Sequence, residues 1–96
     1  MKIFFSEQAD SDLMQAIGYS AERNRIAALE LAAEFDSAIF NLSRFPLIGR
    51  DRSPLAPGLR SILVRSYLIF YRIDREALVI VRILDGRRDI EAEFLQ

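Results

Sequence analysis

The stretch Leu68–Leu84, LIFYRIDREALVIVRIL, decides the fold of this chain. It contains two runs, LIFYRI and LVIVRIL, that are rich in β-branched and aromatic residues and therefore favour strands. The polar segment DREA, residues 74–77, separates them and predicts a hairpin turn. A run of the same kind, LRSILVRSY at 59–67, comes before them, so we predict three consecutive strands.

The last of these strands is predicted to lie in the centre of a sheet. Side chains alternate across a strand, which divides this run into two faces, Val79, Val81 and Ile83 on one and Ile80, Arg82 and Leu84 on the other. Both faces are largely apolar, so we expect helices to cover one of them. Arg82 would then lie in the middle of the opposite face.

A short strand and a helix are predicted before the sheet. The apolar run KIFF, residues 2–5, predicts the strand. Ser6 can cap the helix that follows, and Glu7 and Asp10 lie in its first turn, where the helix dipole favours acidic residues. We expect this helix to cover about residues 7–22.

A second helix is predicted at about residues 25–44, after a break at Arg23–Asn24, because its composition is rich in Ala, Leu and Glu. It has a narrow apolar stripe, Ile26, Leu29, Ala33 and Phe40, and a broader one, Ala28, Leu31, Ala32, Phe35, Ile39 and Leu42. Such a helix needs two neighbours, which we expect to be the first helix, in an antiparallel hairpin, and the sheet. The three prolines within residues 44–58 predict a loop.

Length and composition restrict the class of protein. A chain of 96 residues fits a single domain over residues 1–96, and a hydrophobic fraction of 51% can fill one modest core. There is no cysteine and no histidine, so disulfides, thiolate metal sites and the commonest general base are excluded. We therefore predict no metal and no cofactor. The N-terminal apolar run is too short for a signal peptide or a membrane span, so we expect a cytoplasmic protein.

Charge is segregated along the chain. Residues 1–43 carry seven acidic and three basic residues, whereas residues 44–90 carry ten arginines and five acidic residues. Twelve of the thirteen basic residues are arginines, which keep their charge when desolvated and offer a planar fork to carboxylates and phosphates. Two explanations stay open: a genomic compositional bias, or a basic sheet half that meets an acidic partner, protein or nucleic acid.

Several segments together resemble one known family. They are AERN at 21–24, GR at 49–50, LAPGLRS at 55–61, IFYR at 69–72 and RILDGRRD at 82–89. This combination resembles the ParE-like toxins of the RelE/ParE superfamily, the toxin components of bacterial type II toxin–antitoxin pairs, over nearly the whole chain. The resemblance implies an α+β fold of order β-α-α-β-β-β, with an N-terminal helical hairpin packed on one face of a small, twisted, mostly antiparallel sheet.

The resemblance also implies partners. A cognate, ParD-like antitoxin wraps a segment that is otherwise disordered around such a toxin, which gives a hetero-oligomer. ParE members poison DNA gyrase, whereas RelE members cut messenger RNA on the ribosome. Our leading hypothesis is a ParE-like gyrase inhibitor that performs no chemistry, and the alternative is a RelE-like ribosome-dependent mRNA endonuclease.

Five arginines are the candidate functional residues: Arg82, Arg87 and Arg88 for contact with the target, and Arg60 and Arg65 for a basic surface that faces antitoxin or target. Arginine is enriched among the residues that carry interface energy. The alternative for Arg87 and Arg88 is local pairing with Asp85, Asp89 or Glu91, which would contribute about 0–1 kcal/mol. Between them and the last strand, Gly86 predicts a turn with positive φ.

The residues for RNA cleavage are poorly represented. Attack by a 2′-hydroxyl needs a base, an acid and cations for the phosphate. RelE-like nucleases place lysines, a histidine or a tyrosine near the sheet and the C-terminus, but here Lys2 is the only lysine and Phe94 stands where a terminal tyrosine could serve. Asp85, beside arginines, is expected to stay ionised, and Glu91 or Glu93 are the remaining candidate bases.

A plain nucleic-acid-binding protein is a third class. Such proteins usually carry a clear positive excess, whereas the net charge of this chain is −1. We therefore predict no catalytic residues and no direct sequence-specific binding of nucleic acid.

Overall fold

The computed structural model describes residues 1–95, which form a five-stranded sheet with helices on both faces. The strand order is β1-β5-β4-β3-β2, in which β1 runs parallel to β5 and every other pair is antiparallel. The predicted α+β class with an N-terminal helical hairpin is confirmed. In chain order, the elements are β1 Lys2–Phe5, α1 Glu7–Arg23, α2 Arg25–Arg44, β2 Arg50–Asp51, β3 Arg60–Val64, β4 Tyr67–Asp74, β5 Ala77–Asp85 and α3 Ile90–Phe94.

The helical hairpin forms because two side chains cap its helices. Ser6 accepts a hydrogen bond from the backbone N–H of Ala9 at 3.0 Å and starts α1. Asn24 is extended, with φ −164°, and its Oδ1 accepts from the N–H of Ala27 at 3.1 Å. The same Asn24 donates its own N–H to the carbonyl of Ser20 at 2.9 Å, so one residue ends α1 and starts α2.

The three consecutive strands are confirmed, but the bounds predicted for the first, 59–67, are wrong. β3 ends at Val64 and β4 begins at Tyr67, with Arg65 and Ser66 as a two-residue turn. Arg65 takes a φ of 54°, a conformation that hairpin turns usually assign to Gly or Asn, so the sequence carries no turn signal there. The predicted turn at DREA is confirmed, with Arg75 at a φ of 59°.

The alternation predicted for the last strand is also wrong. Phe70 pairs with Arg82, whereas its neighbour Tyr71 pairs with Ile80, so Val81 is an additional residue on β5. An extra residue reverses the alternation beyond it. Ile80 and Ile83 consequently pack into the same core cluster.

The sheet has an apolar cluster on each of its two faces. The larger lies between the helical hairpin and the sheet, and its fully buried large side chains are Phe35, Leu42, Ile69, Tyr71, Leu78 and Ile80. The second cluster, Leu59, Phe70 and Leu84, lies on the other face and is covered by Leu55, Ile90 and Phe94. The rings of Phe70 and Phe94 meet edge to face at 4.9 Å, so the unpredicted helix α3 closes this face.

One apolar stripe of α2 is left in solvent. The broader stripe is buried, as predicted, through Ala28, Leu31, Phe35, Ile39 and Leu42. The narrow stripe, which we call the α2 outer stripe (Ile26, Leu29, Ala33 and Phe40), is exposed, and Leu29 shows 71% of its surface. The prediction that both stripes are covered is wrong, because α1 and the sheet both lie on the side of the broader stripe.

None of the helices within residues 1–95 combines the length and the apolar character that crossing a membrane would require.

Candidate functional site

The C-terminal turn follows β5 and carries two of the candidate arginines. The N–H of Arg88 donates to the carbonyl of Asp85 at 3.0 Å, which closes the turn. The N–H of Gly86 donates to the carbonyl of Ser66 at 2.7 Å and fixes the turn against the β3–β4 hairpin. Gly58 is the glycine with positive φ in the described part of the chain, so the prediction for Gly86 is wrong. Gly86 instead allows close approach, since a Cβ there would lie 3.2 Å from the Ser66 carbonyl oxygen.

Arg87 lies at the surface and is held by its neighbour Asp85. Its Nε and Nη2 donate to the two carboxylate oxygens of Asp85 at 3.0 and 2.7 Å, and its backbone N–H donates to Oδ1 at 3.0 Å. These bonds, chiefly those from the guanidinium, lower the pKa of Asp85 to about 2. Asp85 is therefore an anion at neutral pH, while 83% of the Arg87 side chain stays exposed.

Glu93 in α3 links two of the arginines. It accepts a hydrogen bond from Arg88, and its other oxygen accepts from Nη1 of Arg82 at 3.4 Å. The side chain of Glu93 is largely buried, whereas half of Arg88 is exposed. One of the candidate bases for RNA cleavage is thus engaged in holding α3 against the sheet.

Arg82 is enclosed rather than displayed. Its Nε and Nη2 donate to the two oxygens of Asp12 in α1 at 2.8 and 3.1 Å, and only 13% of its side chain is exposed. The pKa of the Arg82 guanidinium is raised, mainly by these bonds that it donates to Asp12. Arg82 lies on β5, a central strand as predicted, and pairs with Phe70 of β4. Its guanidinium, however, is directed at Asp12. A contact between Arg82 and a target remains a prediction.

Arg60 and Arg65 serve different parts of the fold. Arg60 Nη1 donates to the carbonyls of Gly49 and Leu47 at 2.9 and 3.3 Å and braces the loop before β2. Arg65 forms an ion pair with Glu34 and lies 3.7 Å from Glu30, both in α2. The five predicted arginines therefore do not form one patch, and each has a partner within the chain.

The structure shows one of the local pairs considered for the C-terminal turn, that of Arg87 with Asp85. The partners of Arg82 and Arg88 were not expected from the sequence. Asp12 lies on α1, 70 residues before Arg82, and Glu93 lies on α3, a helix that the sequence did not predict. The buried hydroxyl of Tyr71 accepts from the N–H of Gly49 at 2.8 Å and donates to the carbonyl of Pro46 at 2.7 Å. Clusters of three His, Cys, Asp or Glu arranged to hold a metal do not occur among residues 1–95.

A second exposed surface lies where α2 meets the edge of the sheet. β2 pairs only with Arg60 and Ser61, so within residues 1–95 the outer edge of β3 from Ile62 to Val64 has no partner strand. Leu63 is exposed there. A groove of about 400 Å³ runs beside this edge; we call it the α2–β3 groove, and its lining is Ala33, Glu34, Ser37, Ala38, Leu63, Val64 and Arg65.

Comparison with known proteins connects the chain with one family. Residues 3–90 match the family described as "ParE toxin of type II toxin-antitoxin system, parDE". The chain is 45% identical over 75 residues to Toxin ParE3 of Caulobacter vibrioides, which covers 78% of this chain and 66% of that protein. It is 34% identical over 59 residues to Toxin ParE1 of Mycobacterium tuberculosis, which covers 60% of each. The chain thus spans slightly less than two thirds of the length of these curated relatives.

A solved structure shares the fold. A chain of the structure described as "Chromosomal ParDE TA system from P. aeruginosa" superposes with a TM-score of 0.73, covering 86% of this chain and 92% of that chain. The sequence identity of this pair is 19%, so the likeness concerns the architecture.

Proposed function

The chain belongs to the family of ParE toxins of type II toxin–antitoxin systems, and from this membership we propose that it is the toxin of such a pair. A cognate antitoxin holds it inactive in a hetero-oligomer, and the free toxin inhibits DNA gyrase by binding. The toxin performs no chemistry of its own and acts in the cytoplasm, where gyrase is found.

The antitoxin is proposed to cover the α2 outer stripe and the α2–β3 groove. Exposed apolar residues in a row, such as Ile26, Leu29 and Phe40, mark interaction surfaces in soluble proteins. The unpaired edge of β3 can accept an extended segment as an additional strand. At the end of the groove, a carboxylate of the antitoxin can take the place of Glu34 on Arg65, because exposed ion pairs contribute only about 0–1 kcal/mol.

The target is proposed to bind at the C-terminal turn, through Arg87 and Arg88. Both arginines have solvent-exposed guanidiniums, and their present partners belong to the chain itself, so an acidic surface can replace those partners.

The observation that supports binding without catalysis is the state of the nearby carboxylates. Asp85 is ionised because its pKa is about 2, and Glu93 is shared between Arg82 and Arg88. A general acid must carry a proton near neutral pH, and a carboxylate with a pKa of about 2 neither carries one nor is an effective base. Both oxygens of Glu93 are directed at arginines of the chain itself.

Two assays on the purified chain test this function. We expect it to impair supercoiling of relaxed plasmid by gyrase and to leave ribosome-bound messenger RNA intact. Toxin mixed beforehand with its antitoxin is the control and should leave gyrase active. Site-specific cleavage of the messenger RNA with gyrase unaffected would instead favour the RelE-like endonuclease.

A further inference from the structure

A cleft of about 580 Å³ opens between α1 and the C-terminal turn, on the side of the molecule that carries the helical hairpin. Tyr19 and Gly18 of α1 form one wall, and Tyr67 of β4 lies across from them. Arg87 and Arg88 stand at its end. A smaller groove of about 310 Å³ continues from it past Arg23 and Arg65 and shares the residues Tyr19, Tyr67, Asp85 and Arg87. The proposed target-binding arginines therefore border a concave surface.

Gly18 in the wall of this cleft has no structural explanation within the fold. It lies in the interior of α1, where glycine is less favourable than alanine. A Cβ built at Gly18 would meet no atom of the described residues within 4 Å, and its φ is not positive. The packing of the chain therefore does not require a glycine here. The missing side chain leaves the backbone of α1 open to whatever occupies the cleft.

The chemistry around the cleft is that of a protein interface. Tyrosine and arginine are the residue types that dominate binding energy in such interfaces. Tyr19 is exposed, and its ring lies 5.3 Å below the guanidinium of Arg23, which also donates to its hydroxyl at 2.9 Å. Tyr67 is fixed at the base by an edge-to-face contact with Phe35 at 5.6 Å. Both rings are thus positioned before any partner arrives.

The charges bordering the cleft favour an acidic occupant. Arg87 and Arg88 border the cleft, and Arg23 borders the groove that continues from it. The acids lining it are Asp12, Glu22 and Asp85, and Asp12 is neutralised by the enclosed Arg82. Asp85 is satisfied by Arg87 through an ion pair whose arginine is almost fully exposed, so an incoming carboxylate can compete for that arginine.

We infer that this cleft is the docking slot for an acidic polypeptide segment of the target, which passes over Gly18 and places carboxylates on Arg87 and Arg88. The inference rests on the proposed function, because it assumes that the C-terminal turn meets the target. It goes further by assigning α1, and Gly18 in particular, to the target interface. The slot is separate from the α2 outer stripe, which is left to the antitoxin.

Substitution of Gly18 tests the slot, since it changes the cleft without removing a charge. Gly18→Ala adds a methyl group to the wall, and Gly18→Leu places a branched four-carbon side chain in the cleft. Both favour the helix, so the melting temperature should rise or stay unchanged. We expect the toxin concentration that inhibits gyrase supercoiling by half to increase a few-fold for alanine and about tenfold or more for leucine. The affinity for the antitoxin should remain that of the unmodified chain.

Ala21→Gly is the matched control, because Ala21 is exposed on the same helix and does not line the cleft. It makes the opposite exchange, so it should lower the melting temperature and leave inhibition unchanged. Growth arrest after induction in cells without antitoxin serves as a readout that does not depend on the identity of the target. If the unmodified chain arrests growth without inhibiting gyrase, the gyrase proposal fails, and the Gly18 variants still test the slot through growth arrest.

Two results would overturn the slot. One is full inhibition and full growth arrest by a folded Gly18→Leu chain. The other is that the unmodified chain alone binds a short DNA duplex, measured by fluorescence anisotropy, and that Gly18→Leu weakens this binding, because the occupant would then be nucleic acid. Should Gly18→Leu fail to fold, Gly18→Ala decides by the same criteria.

Discussion

The carboxylate of Asp12 in α1 and the guanidinium of Arg82 in β5 form a two-bonded ion pair at 2.8 and 3.1 Å, across a sequence separation of 70 residues. Oδ2 of Asp12 also accepts the backbone N–H of Ile83 at 3.0 Å. β1 pairs with β5 only as far as Ile80. Beyond that point the carboxylate of Asp12, and not a strand, accepts the N–H of Ile83. This pair joins the helical hairpin to the strand that leads into the C-terminal turn.

Asp12→Ala should destabilise the protein by about 2–3 kcal/mol, because it leaves Nε and Nη2 of the largely enclosed Arg82 and the N–H of Ile83 without their acceptor. Urea unfolding followed by circular dichroism measures this. Asp10→Ala, an exposed acidic residue of the same helix, is the control and should change stability by less than about 1 kcal/mol, since it loses only the favourable interaction with the helix dipole. Equal effects of the two substitutions would mean that the ion pair with Arg82 contributes no specific stability.

Gly49→Ala should be strongly destabilising, by about 2–4 kcal/mol, because a Cβ would lie 2.6 Å from Cε1 of the buried Tyr71. The ring would have to move, and its hydroxyl would lose its bonds to Gly49 and Pro46. Gly18→Ala is the same chemical exchange in open space and should be neutral or stabilising. Opposite signs in thermal unfolding are the expected result, and two similar values would contradict it.

The pH dependence of stability should include a contribution from Asp85. Its folded pKa, about 2, lies below the ordinary value of 3.8, so the ionised form is favoured in the folded protein. This stability is fully present above about pH 4 and is lost as the pH falls towards 2. Carbon-13 NMR titration of the carboxyl group measures the pKa directly. In Arg87→Ala the pKa of Asp85 should rise but stay below 3.8, since the backbone N–H of residue 87 still donates to the carboxylate. An unchanged pKa would exclude the guanidinium as the main cause of the shift.

Replacement of both Arg87 and Arg88 by alanine should abolish toxicity, while the protein still folds and still binds antitoxin. The reason is that both guanidiniums are exposed and neither supports the hydrophobic core. Growth arrest, thermal unfolding and antitoxin affinity are measured together. Arg72→Ala, which removes another exposed arginine paired with an acidic neighbour, Asp74, is the control. A double variant that arrests growth as fully as the unmodified chain would show that the C-terminal turn is not the target surface.

Leu29→Asp with Phe40→Asp should weaken antitoxin binding by about a hundredfold or more, because a charge would be buried in the proposed interface. Isothermal titration calorimetry measures the affinity. Met14→Asp, which changes an exposed apolar residue of α1, is the control and should bind normally. If the double variant binds antitoxin as tightly as the unmodified chain and Met14→Asp do, the α2 outer stripe is not the antitoxin surface.

The sequence predicted the elements whose signals are local. Ser6 and Asn24 cap helices through bonds that span three residues, and the β-branched runs of β4 and β5 favour strands wherever they lie. The short helix α3 was missed, since five residues carry too weak a periodic signal and its contact with Phe70 is far away in the sequence. The turn at Arg65 was missed because arginine rarely adopts a positive φ.

By itself, the sequence determined the α+β class, the helical hairpin and which arginines are candidates, because caps, periodicity and residue type are properties of short segments. Only the tertiary structure decided which arginines are displayed. The extra residue at Val81 determines which way the side chains at the C-terminal end of β5 point. Arg82 is enclosed with Asp12, whereas Arg87 and Arg88 stay exposed. Whether an arginine side chain is exposed or enclosed depends on which residues folding brings next to it, and the order of residues along the chain does not show these neighbours.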